Sequence, residues 1–248
     1  MAAPAREPFL RTEDLTRTFG GIYAVCEVSI HCDRGERLAI IGPNGAGKST
    51  CFNLLAGAQR PDSGEIWLDG ERIDGLNAAR VCQRGLARTF QIPKPFLNLS
   101  LLENVAAAAY LHHPDRAAAM RRGEEILERF GLREDPSRPA SVLNVADRKR
   151  LELARAYATE PKILLLDEVG AGLTPSDLAG LTELVRSLNR DEQITIVFVE
   201  HVMSLVNDLA HRVVVLEQGQ VLAEGTPAQI MADPAVVAAY LGEEHAVG

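Results

Sequence analysis

The nine residues Gly42–Thr50, GPNGAGKST, constrain the fold of this chain more than any other segment. They fit the pattern G-x-x-x-x-G-K-[ST] and lie where a short apolar strand-like run, Arg37–Ile41, gives way to a predicted helix. Glycines let the backbone N–H groups of such a loop turn inward around phosphate oxygens, and the following helix directs its positive end at the same anion. A dinucleotide fingerprint would need glycine where Thr50 stands, so the pattern argues against that type of site.

The loop also predicts individual contacts to a nucleotide and its metal ion. Lys48 is expected to reach the β- and γ-phosphates, and the Ser49 hydroxyl to take one position on an octahedral Mg²⁺. A glycine-rich turn with a chance lysine is the alternative, but chance should produce the pattern on the order of 0.01 times in a chain of this length. The predicted nucleotide-binding residues of the loop are Gly42, Pro43, Asn44, Gly45, Ala46, Gly47, Lys48, Ser49 and Thr50.

Two acidic residues follow a second apolar run, in the segment Ile163–Glu168 (ILLLDE). A magnesium nucleotide needs a carboxylate at the end of a neighbouring strand, and Asp167 is predicted to hold Mg²⁺ there, through water. Glu168 is predicted to accept a proton from the attacking water, a role that contributes roughly 10²–10⁴ in rate. A buried strand that simply ends in two solvated acids is the alternative.

Apolar patterning divides the chain into a β-rich start, a helical middle and an alternating end. Leu10–Phe19 and Val25–His31 alternate as strands do, whereas residues 100–159 are helical in composition almost throughout. Further strand-like segments follow that middle region at Ile163–Leu166, Thr195–Val199 and Arg212–Leu216. Strands that alternate with helices predict an α/β fold with a mostly parallel, buried sheet.

The 119 positions between Lys48 and Asp167 are too many for consecutive strands joined by one short crossover. A sizeable insert is therefore expected, and the helical middle of the chain provides it. All 248 residues are expected to form one domain. Its predicted parts are a core of residues 1–95 and 160–225, a helical subdomain of residues 96–159, and a short helical tail of residues 226–248.

Composition excludes several classes of protein. The longest apolar runs are seven residues, whereas a membrane span needs about 20, and the N-terminal residues lack the pattern of an export signal, so a cytosolic chain is expected. The 26 basic against 34 acidic residues give a net charge of −8, which disfavours nucleic acid as a partner. Four scattered cysteines without C-x-x-C spacing disfavour a zinc site or a disulfide framework.

With the phosphate loop, helical insert and acidic strand in this order, the chain resembles the ATP-binding subunits of ABC transporters along its whole length. The resemblance implies a P-loop NTPase with a RecA-like core, an N-terminal antiparallel β subdomain and an inserted α-helical subdomain. Three further residues match the family's pattern. The resemblance implies that Phe19 stacks on adenine, that Gln91 touches Mg²⁺ and the attacking water from a strand end, and that His201 contacts the γ-phosphate. With Lys48 and Glu168, Gln91 and His201 form the predicted catalytic set.

The segment Leu143–Asp147, LNVAD, aligns with the family's L-S-G-G-Q signature and keeps only its leucine. In the family this segment closes on the ATP of a partner subunit, so Asn144 is expected to contact nucleotide in trans. Asn144 is a good N-cap and Asp147 stands at the capping-box position. Val145 brings a Cβ atom where glycine allows close approach, and loss of one preorganised donor costs on the order of 10²–10³ in rate. We therefore hypothesise that the composite site using this signature is the slower one.

Other departures narrow the subfamily. Val169 replaces a usual proline, and residues 171–174 replace the loop that carries a usual aspartate. Together with EGTP at residues 224–227 and AYLG at residues 239–242, these features resemble the ATPase subunits of branched-chain amino acid importers, most of all the LivG type. Relatives of that type also serve uptake of urea, amides or aromatic acids. Two alternatives stay open: a lipid- or lipopolysaccharide-export ATPase, and a regulatory nucleotide-binding subunit with impaired hydrolysis.

The resemblance also implies partners and a location. Two ATPase subunits, identical or homologous, would clamp two ATP molecules and drive two membrane permeases, with an extracytoplasmic solute-binding protein acting indirectly. The chain would lie on the cytoplasmic face of the inner membrane, held by the permeases and without a transmembrane segment of its own. Residues 91–99, QIPKPFLNL, are the expected permease contact, with Phe96 at its centre. A stiff loop without a partner is the alternative.

Overall fold

The computed structural model describes residues 7–244, and its first layer is a small antiparallel sheet. Its strands pair in the order β2-β1-β5-β6. The short strand β3 also pairs with β1. Its strands are β1 (Leu10–Phe19), β2 (Ile22–Val28), β3 (His31–Cys32), β5 (Ser63–Leu68) and β6 (Glu71–Arg72). This layer agrees with the antiparallel β subdomain expected near the start of the chain.

The second sheet is parallel except at one edge, as the alternating pattern predicted. It has the order β11-β10-β4-β9-β8-β7, and only the β10–β11 hairpin is antiparallel. Its strands are β4 (Arg37–Ile41), β7 (Leu86–Arg88), β8 (Ile163–Asp167), β9 (Thr195–Val199), β10 (Arg212–Glu217) and β11 (Gln220–Gly225). Every residue of β8 and β9 is buried, because apolar layers cover both faces of a parallel sheet.

Helices flank this sheet and form the predicted insert. They are α1 (Lys48–Leu55), α2 (Ala78–Gln83), α3 (Leu101–Ala109), α4 (Arg116–Arg129), α5 (Val145–Tyr157), α6 (Pro175–Glu192), α7 (Met203–Leu209), α8 (Pro227–Ala232) and α9 (Pro234–Glu244). Helices α3, α4 and α5 pack together through buried apolar side chains, including Val105, Ile126 and Leu151. Within the described part of the chain, no helix has both the length and the apolar character that a membrane crossing requires.

Most predicted elements are present with ends shifted by one or two residues, but one predicted strand is wrong. The segment Val25–His31 is interrupted, and its two parts pair with different ends of β1: Val28 opposite Leu15, and Cys32 opposite Leu10. Thr12 stabilises the break, since its hydroxyl donates to the carbonyl of Val28 and accepts from the N–H of Ile30. Side-chain alternation cannot reveal such a change of pairing partner.

Two short helices were not predicted. Helices α2 and α7 are six and seven residues long, too short for a clear period. Helix α5 begins at Val145, directly after the predicted cap Asn144. Residues 245–248 of the predicted tail lie outside the described residues. All four cysteines are free thiols; Cys32 and Cys51 are buried, and burial raises the pKa of Cys51 to about 12.

Candidate nucleotide-binding site

Three neighbouring strands end at the same edge of the parallel sheet, and the candidate site lies there. Strand β4 leads into the loop 42–47, β8 ends at Asp167, and β9, which lies between them, ends at Val199. The register places Val199 opposite both Ile40 and Asp167. Parallel pairing thus brings together segments that are far apart in the sequence.

The loop borders a cavity of about 200 Å³. Its lining combines most of the predicted loop residues with two side chains from the ends of β8 and β9 and one residue of β2. The lining residues are Ala24, Asn44, Gly45, Ala46, Gly47, Lys48, Ser49, Thr50, Glu168 and His201. Among them Ala24 was not predicted; nothing in its residue type indicates that the β1–β2 hairpin folds over the loop.

Two loop positions require glycine. Gly42 has φ of 149°, and a Cβ there would lie 2.1 Å from the Leu216 carbonyl oxygen. Gly47 has φ of 100°, and its Cβ would lie 2.2 Å from the Ala24 carbonyl oxygen. Both positions combine a backbone that side chains rarely adopt with a contact that no side chain fits. The loop is therefore built by close approach of three backbone segments.

The turn between β10 and β11 completes this packing. The N–H of Gly219 donates to the Ala46 carbonyl at 3.1 Å, and the Gly219 carbonyl accepts from the N–H of Cys26 at 2.8 Å. One glycine thus joins the phosphate loop to the β1–β2 hairpin.

Lys48 is the first residue of α1 and is almost completely buried beneath the loop. Its Nζ donates to the carbonyl oxygens of Gly42 at 2.6 Å and Pro43 at 2.8 Å. Buried lysines are rare unless their charge is satisfied. These contacts hold the ammonium group inside the loop, at the N-terminus of a helix, where an anion would be favoured.

Asp167 is buried at the end of β8 and is held from two sides. Arg88 Nη2 donates to its carboxylate at 2.7 Å, and its backbone N–H donates to the Thr89 hydroxyl at 3.1 Å. Arg88 also donates to the Asn53 side chain at 2.6 Å. Arg88 was missed as a site residue, although it lies only three residues before Gln91; the signal was its charge at the end of a buried strand.

Glu168 brings together the three residues predicted for catalysis beyond the loop. Gln91 Nε2 donates to Glu168 Oε2 at 2.6 Å, and His201 Nε2 lies 2.9 Å from Glu168 Oε1. Gln91 was expected at the end of a strand. It lies beyond that end, because β7 already ends at Arg88. The Glu168 backbone has φ of 47°, a left-handed conformation unusual for a residue with a side chain. This conformation lets its carboxylate face the cavity while the preceding residues stay in the sheet.

Phe19 and Asn144 lie outside the lining of this cavity. Phe19 ends β1, is 44% exposed, and has the Arg17 guanidinium 5.0 Å from its ring centroid. It belongs to the same hairpin as Ala24, which does line the cavity. An exposed aromatic ring beside the phosphate loop is available for stacking, as the adenine prediction requires.

The signature-like segment has the expected cap but a different second contact. Asn144 Oδ1 accepts from the N–H of Asp147 at 2.8 Å and so caps α5. The expected reciprocal contact is replaced, since Arg138 Nη2 lies 3.4 Å from the Asp147 carboxylate. That pairing offsets the negative charge of the Asp147 carboxylate. Val142 and Val145 are 64% and 55% exposed, so the outward surface is apolar.

Comparison with known proteins agrees with this geometry. The family model described as ABC transporter matches residues 25–171, and the model described as branched-chain amino acid ATP-binding cassette transporter matches residues 220–246. The chain is similar to the high-affinity branched-chain amino acid transport ATP-binding proteins BraF of Pseudomonas aeruginosa and LivG of Escherichia coli. Identity is 39% with each of the two. The match with BraF covers 95% of this chain and 98% of BraF, and the match with LivG covers 96% of this chain and 99% of LivG.

Other similarities are somewhat weaker in sequence. The lipopolysaccharide export system ATP-binding protein LptB of Haemophilus influenzae is 32% identical over 95% of this chain and 98% of that protein. Among solved structures, the ADP conformation of the ATP-binding cassette MJ1267 superposes with a TM-score of 0.86 at 30% identity, over 95% of this chain and 99% of that one. A dimeric post-hydrolysis cassette, MJ0796 bound to ADP and Pi, has a TM-score of 0.78 at 26% identity, over 88% and 98%. The chain thus has the P-loop NTPase fold and belongs to the ABC transporter family, among its ATP-binding cassettes.

Proposed function

We propose that this chain is the ATP-binding and ATP-hydrolysing subunit of an ABC importer that takes up branched-chain amino acids or a related small polar solute. The observation that carries the proposal is the position of the Glu168 carboxylate, which borders the phosphate-loop cavity between Gln91 and His201. A carboxylate held in this way is suited to receive a proton from water beside a bound γ-phosphate.

The residues around the cavity fit a magnesium nucleotide. Ser49, Asp167 and Gln91 offer hydroxyl, carboxylate and amide oxygens, the hard ligands that Mg²⁺ prefers. Residues 7–244 contain no group of three or more His, Cys, Asp and Glu side chains able to hold a metal by themselves, which suits an ion that arrives with phosphates. Bound there, Mg²⁺ would neutralise charge on the phosphate oxygens.

The chain's own residues divide the remaining work. The loop N–H groups and Lys48 bind the phosphates, and Phe19 stacks on the adenine ring. Gln91 orients the attacking water, Glu168 takes its proton, and His201 contacts the γ-phosphate. Positioning and electrostatics are the main contributions of protein groups to phosphoryl transfer.

The test compares the wild-type chain with Glu168→Gln, which keeps size and hydrogen bonding but removes the base. We expect phosphate release to fall about 100-fold or more while ATP-dependent dimerisation persists. The matched control is Glu183→Gln, on the exposed surface of α6. If wild type and Glu168→Gln release phosphate equally fast, Glu168 is not the base; if neither releases phosphate, the chain is a regulatory nucleotide-binding subunit instead.

The proposal includes a second ATPase subunit, identical or homologous to this chain. The N-terminus of α5, with Asn144, would meet nucleotide held by that subunit. The dimeric relative bound to ADP and Pi supports such an arrangement. The subunits would act on two permeases, with a solute-binding protein outside the membrane, and this chain would lie on the cytoplasmic face of the inner membrane.

The permease contact is proposed for residues 91–99. Phe96 is half exposed and lies 5.0 Å from the Arg155 guanidinium, while Asn104 accepts from the Phe96 N–H and donates to its carbonyl. A neighbouring cavity of about 270 Å³, lined partly by Phe90 and Arg155, could receive an apolar helix. We expect Phe96→Asp to abolish transport and leave ATP binding intact; unchanged transport would refute this contact.

The solute class rests on the C-terminal family match and on BraF and LivG. Lipid or lipopolysaccharide export is the second candidate, favoured by the similarity to LptB. Purification of the chain with its membrane partners separates the two. An importer should co-purify with permeases and a solute-binding protein and show uptake of labelled leucine, whereas an exporter should co-purify with membrane subunits and show neither a solute-binding protein nor leucine uptake.

A further inference from the structure

A lysine on the signature helix reaches the backbone of Glu168. Lys149 lies on α5 and is only 7% exposed, yet its Nζ donates to the Glu168 carbonyl oxygen at 2.8 Å. No role in nucleotide binding or hydrolysis has been given to it above. A lysine that is buried in order to hold one carbonyl group suggests that the position of this carbonyl matters.

The backbone held by Lys149 is the left-handed one. Glu168 has φ of 47°, which side chains disfavour, so the surrounding structure must hold it in place. Its N–H donates to the Val199 carbonyl at 3.0 Å, and its own carbonyl accepts from Lys149 at 2.8 Å and from the Ala171 N–H at 3.3 Å. Both backbone polar groups of Glu168 are therefore engaged, the N–H by the sheet and the carbonyl by α5 and by the turn that follows.

A buried acid holds the other end of the same segment. Glu200 is 1% exposed, and its Oε1 accepts from the N–H of Gly170 at 2.7 Å. Burial raises the pKa of Glu200 and lowers the pKa of Lys149, while each charge favours the ionised form of the other. Glu200 directly precedes His201, whose ring contacts the Glu168 carboxylate. Lys149, Val199 and His201 thus contact Glu168 directly, and Glu200 holds the N–H of Gly170 two residues further on.

We propose that Lys149 and Glu200 are positioning residues that hold Glu168 in its productive geometry, and that Lys149 makes this geometry depend on the position of α5. The inference rests on the proposed function. Asn144, which caps α5, is the residue expected to meet the partner's nucleotide, and Lys149 lies about 7 Å further along the helix axis. A shift of α5 on contact with that nucleotide would therefore move the Lys149 ammonium group and the Glu168 carbonyl with it.

The test uses the assembled complex with Mg-ATP and, in this chain, the variants Lys149→Met, Lys149→Arg and Lys162→Met. For Lys149→Met we expect a single-turnover hydrolysis rate lower by about ten-fold or more, since small misplacements of a catalytic group are costly, with nucleotide affinity unchanged within about two-fold. Lys149→Arg retains a donor and should recover most of the rate. Lys162→Met removes an exposed lysine that pairs with Asp69 and should leave both quantities unchanged.

Because Lys149→Met leaves Glu200 buried without its counter-charge, the double variant Lys149→Met/Glu200→Gln is measured as well. It removes both charges, so it separates loss of positioning from loss of folding. A double variant that hydrolyses ATP at the wild-type rate overturns the inference, as does a rate loss in Lys149→Met matched by an equal loss of affinity. A wild-type complex without hydrolysis refutes the proposed function as well, whereas an active wild-type complex that tolerates Lys149→Met refutes only this inference.

Discussion

The phosphate loop and the signature-like segment of this chain are built in different ways. The loop 42–50 is enclosed by backbone from β2 and from the β10–β11 turn, and its two tightest positions are glycines. The signature-like segment 143–147 has no glycine, presents Val145 to solvent, and has its acidic residue paired with Arg138. The first region is made for close backbone approach to phosphate. The second keeps the helix cap and loses the close approach.

This difference teaches that one chain can contribute unequally to the two sites of a dimer. In the proposed dimer, the site that uses this chain's loop depends on the partner's signature, and the site that uses this chain's signature depends on the partner's loop. If the partner is a homologue with a glycine-bearing signature, the first site is the faster one. If the partner is an identical chain, both sites have the weak signature and should be equally slow.

The largest expected effect comes from blocking each site of the assembled complex in turn. Lys48→Ala removes the loop ammonium group, and we expect it to lower total hydrolysis about 100-fold, since the faster site is lost. The corresponding lysine substitution in a homologous partner ATPase should lower total hydrolysis by less than about two-fold. Phosphate release by the purified complex measures both. Equal residual hydrolysis in the two blocked complexes would falsify the inequality.

A smaller effect should follow from filling the loop. Gly47→Ala places a Cβ against the Ala24 carbonyl, and we expect nucleotide affinity to fall about ten-fold as the hairpin shifts. Gly45→Ala is the control: its φ is also positive, at 77°, but its Cβ would meet nothing within 4 Å. Fluorescent-nucleotide titration should therefore show a clearly weaker effect for Gly45→Ala. Similar losses would mean that backbone strain, not close packing, limits this loop.

Adding glycine to the signature-like segment should raise the rate of hydrolysis at the partner's loop. Replacing Val145 and Ala146 by glycine restores room for a phosphate, and we expect hydrolysis at the partner's loop to rise about three-fold, offset by about 1 kcal/mol of helix stability per glycine. Val142→Gly is the control, since Val142 is equally exposed but precedes the aligned segment. Hydrolysis is measured with this chain's own loop blocked by Lys48→Ala. No gain would show that the lost glycines do not limit the rate.

The smallest effect is expected at the cap. Asn144→Ala removes the acceptor for the Asp147 N–H and should cost about 1 kcal/mol of unfolding free energy. Asn77→Ala is matched, since Asn77 caps α2 through the N–H of Arg80 at 3.0 Å. Urea unfolding measures both. Total hydrolysis by the complex should change less than about two-fold in either variant, because the site that Asn144 is expected to serve is the slower one. Asn144→Ala should lower hydrolysis only when this chain's own loop is blocked by Lys48→Ala, and no loss there would show that Asn144 acts as a cap alone.

The sequence predicted the site best where function depends on contiguous residues. The phosphate loop could be read directly, and parallel strand order then explains why Glu168 and His201 line the same cavity, since β8 and β9 are the next strands after β4 in the sheet. Arg88, Lys149 and Glu200 were not recognised, because their importance arises only from contacts across elements: with Asp167, with the Glu168 carbonyl and with Gly170. Their charges were visible, but charge alone does not indicate a buried partner.

The fold shows the same distinction. The helical composition of residues 100–159 predicted the insert that contains α3, α4 and α5, and the apolar runs predicted β4, β8, β9 and β10 to within one residue. The break between β2 and β3 was missed because it depends on the Thr12 hydroxyl of another strand. The domain boundaries and the roles of the individual site residues stay predictions.

The hydrogen bond between Gly219 and Ala46 also bears on the order in which the protein is made. On the ribosome, residue 46 emerges long before residue 219, and β4 waits for both of its neighbours, β9 and β10, which are synthesised late. The nascent chain therefore contains the complete nucleotide-binding motif while lacking the structure that closes it. Nucleotide binding should appear only once the β10–β11 turn has left the exit tunnel, so a growing chain cannot begin to consume ATP before its core is assembled.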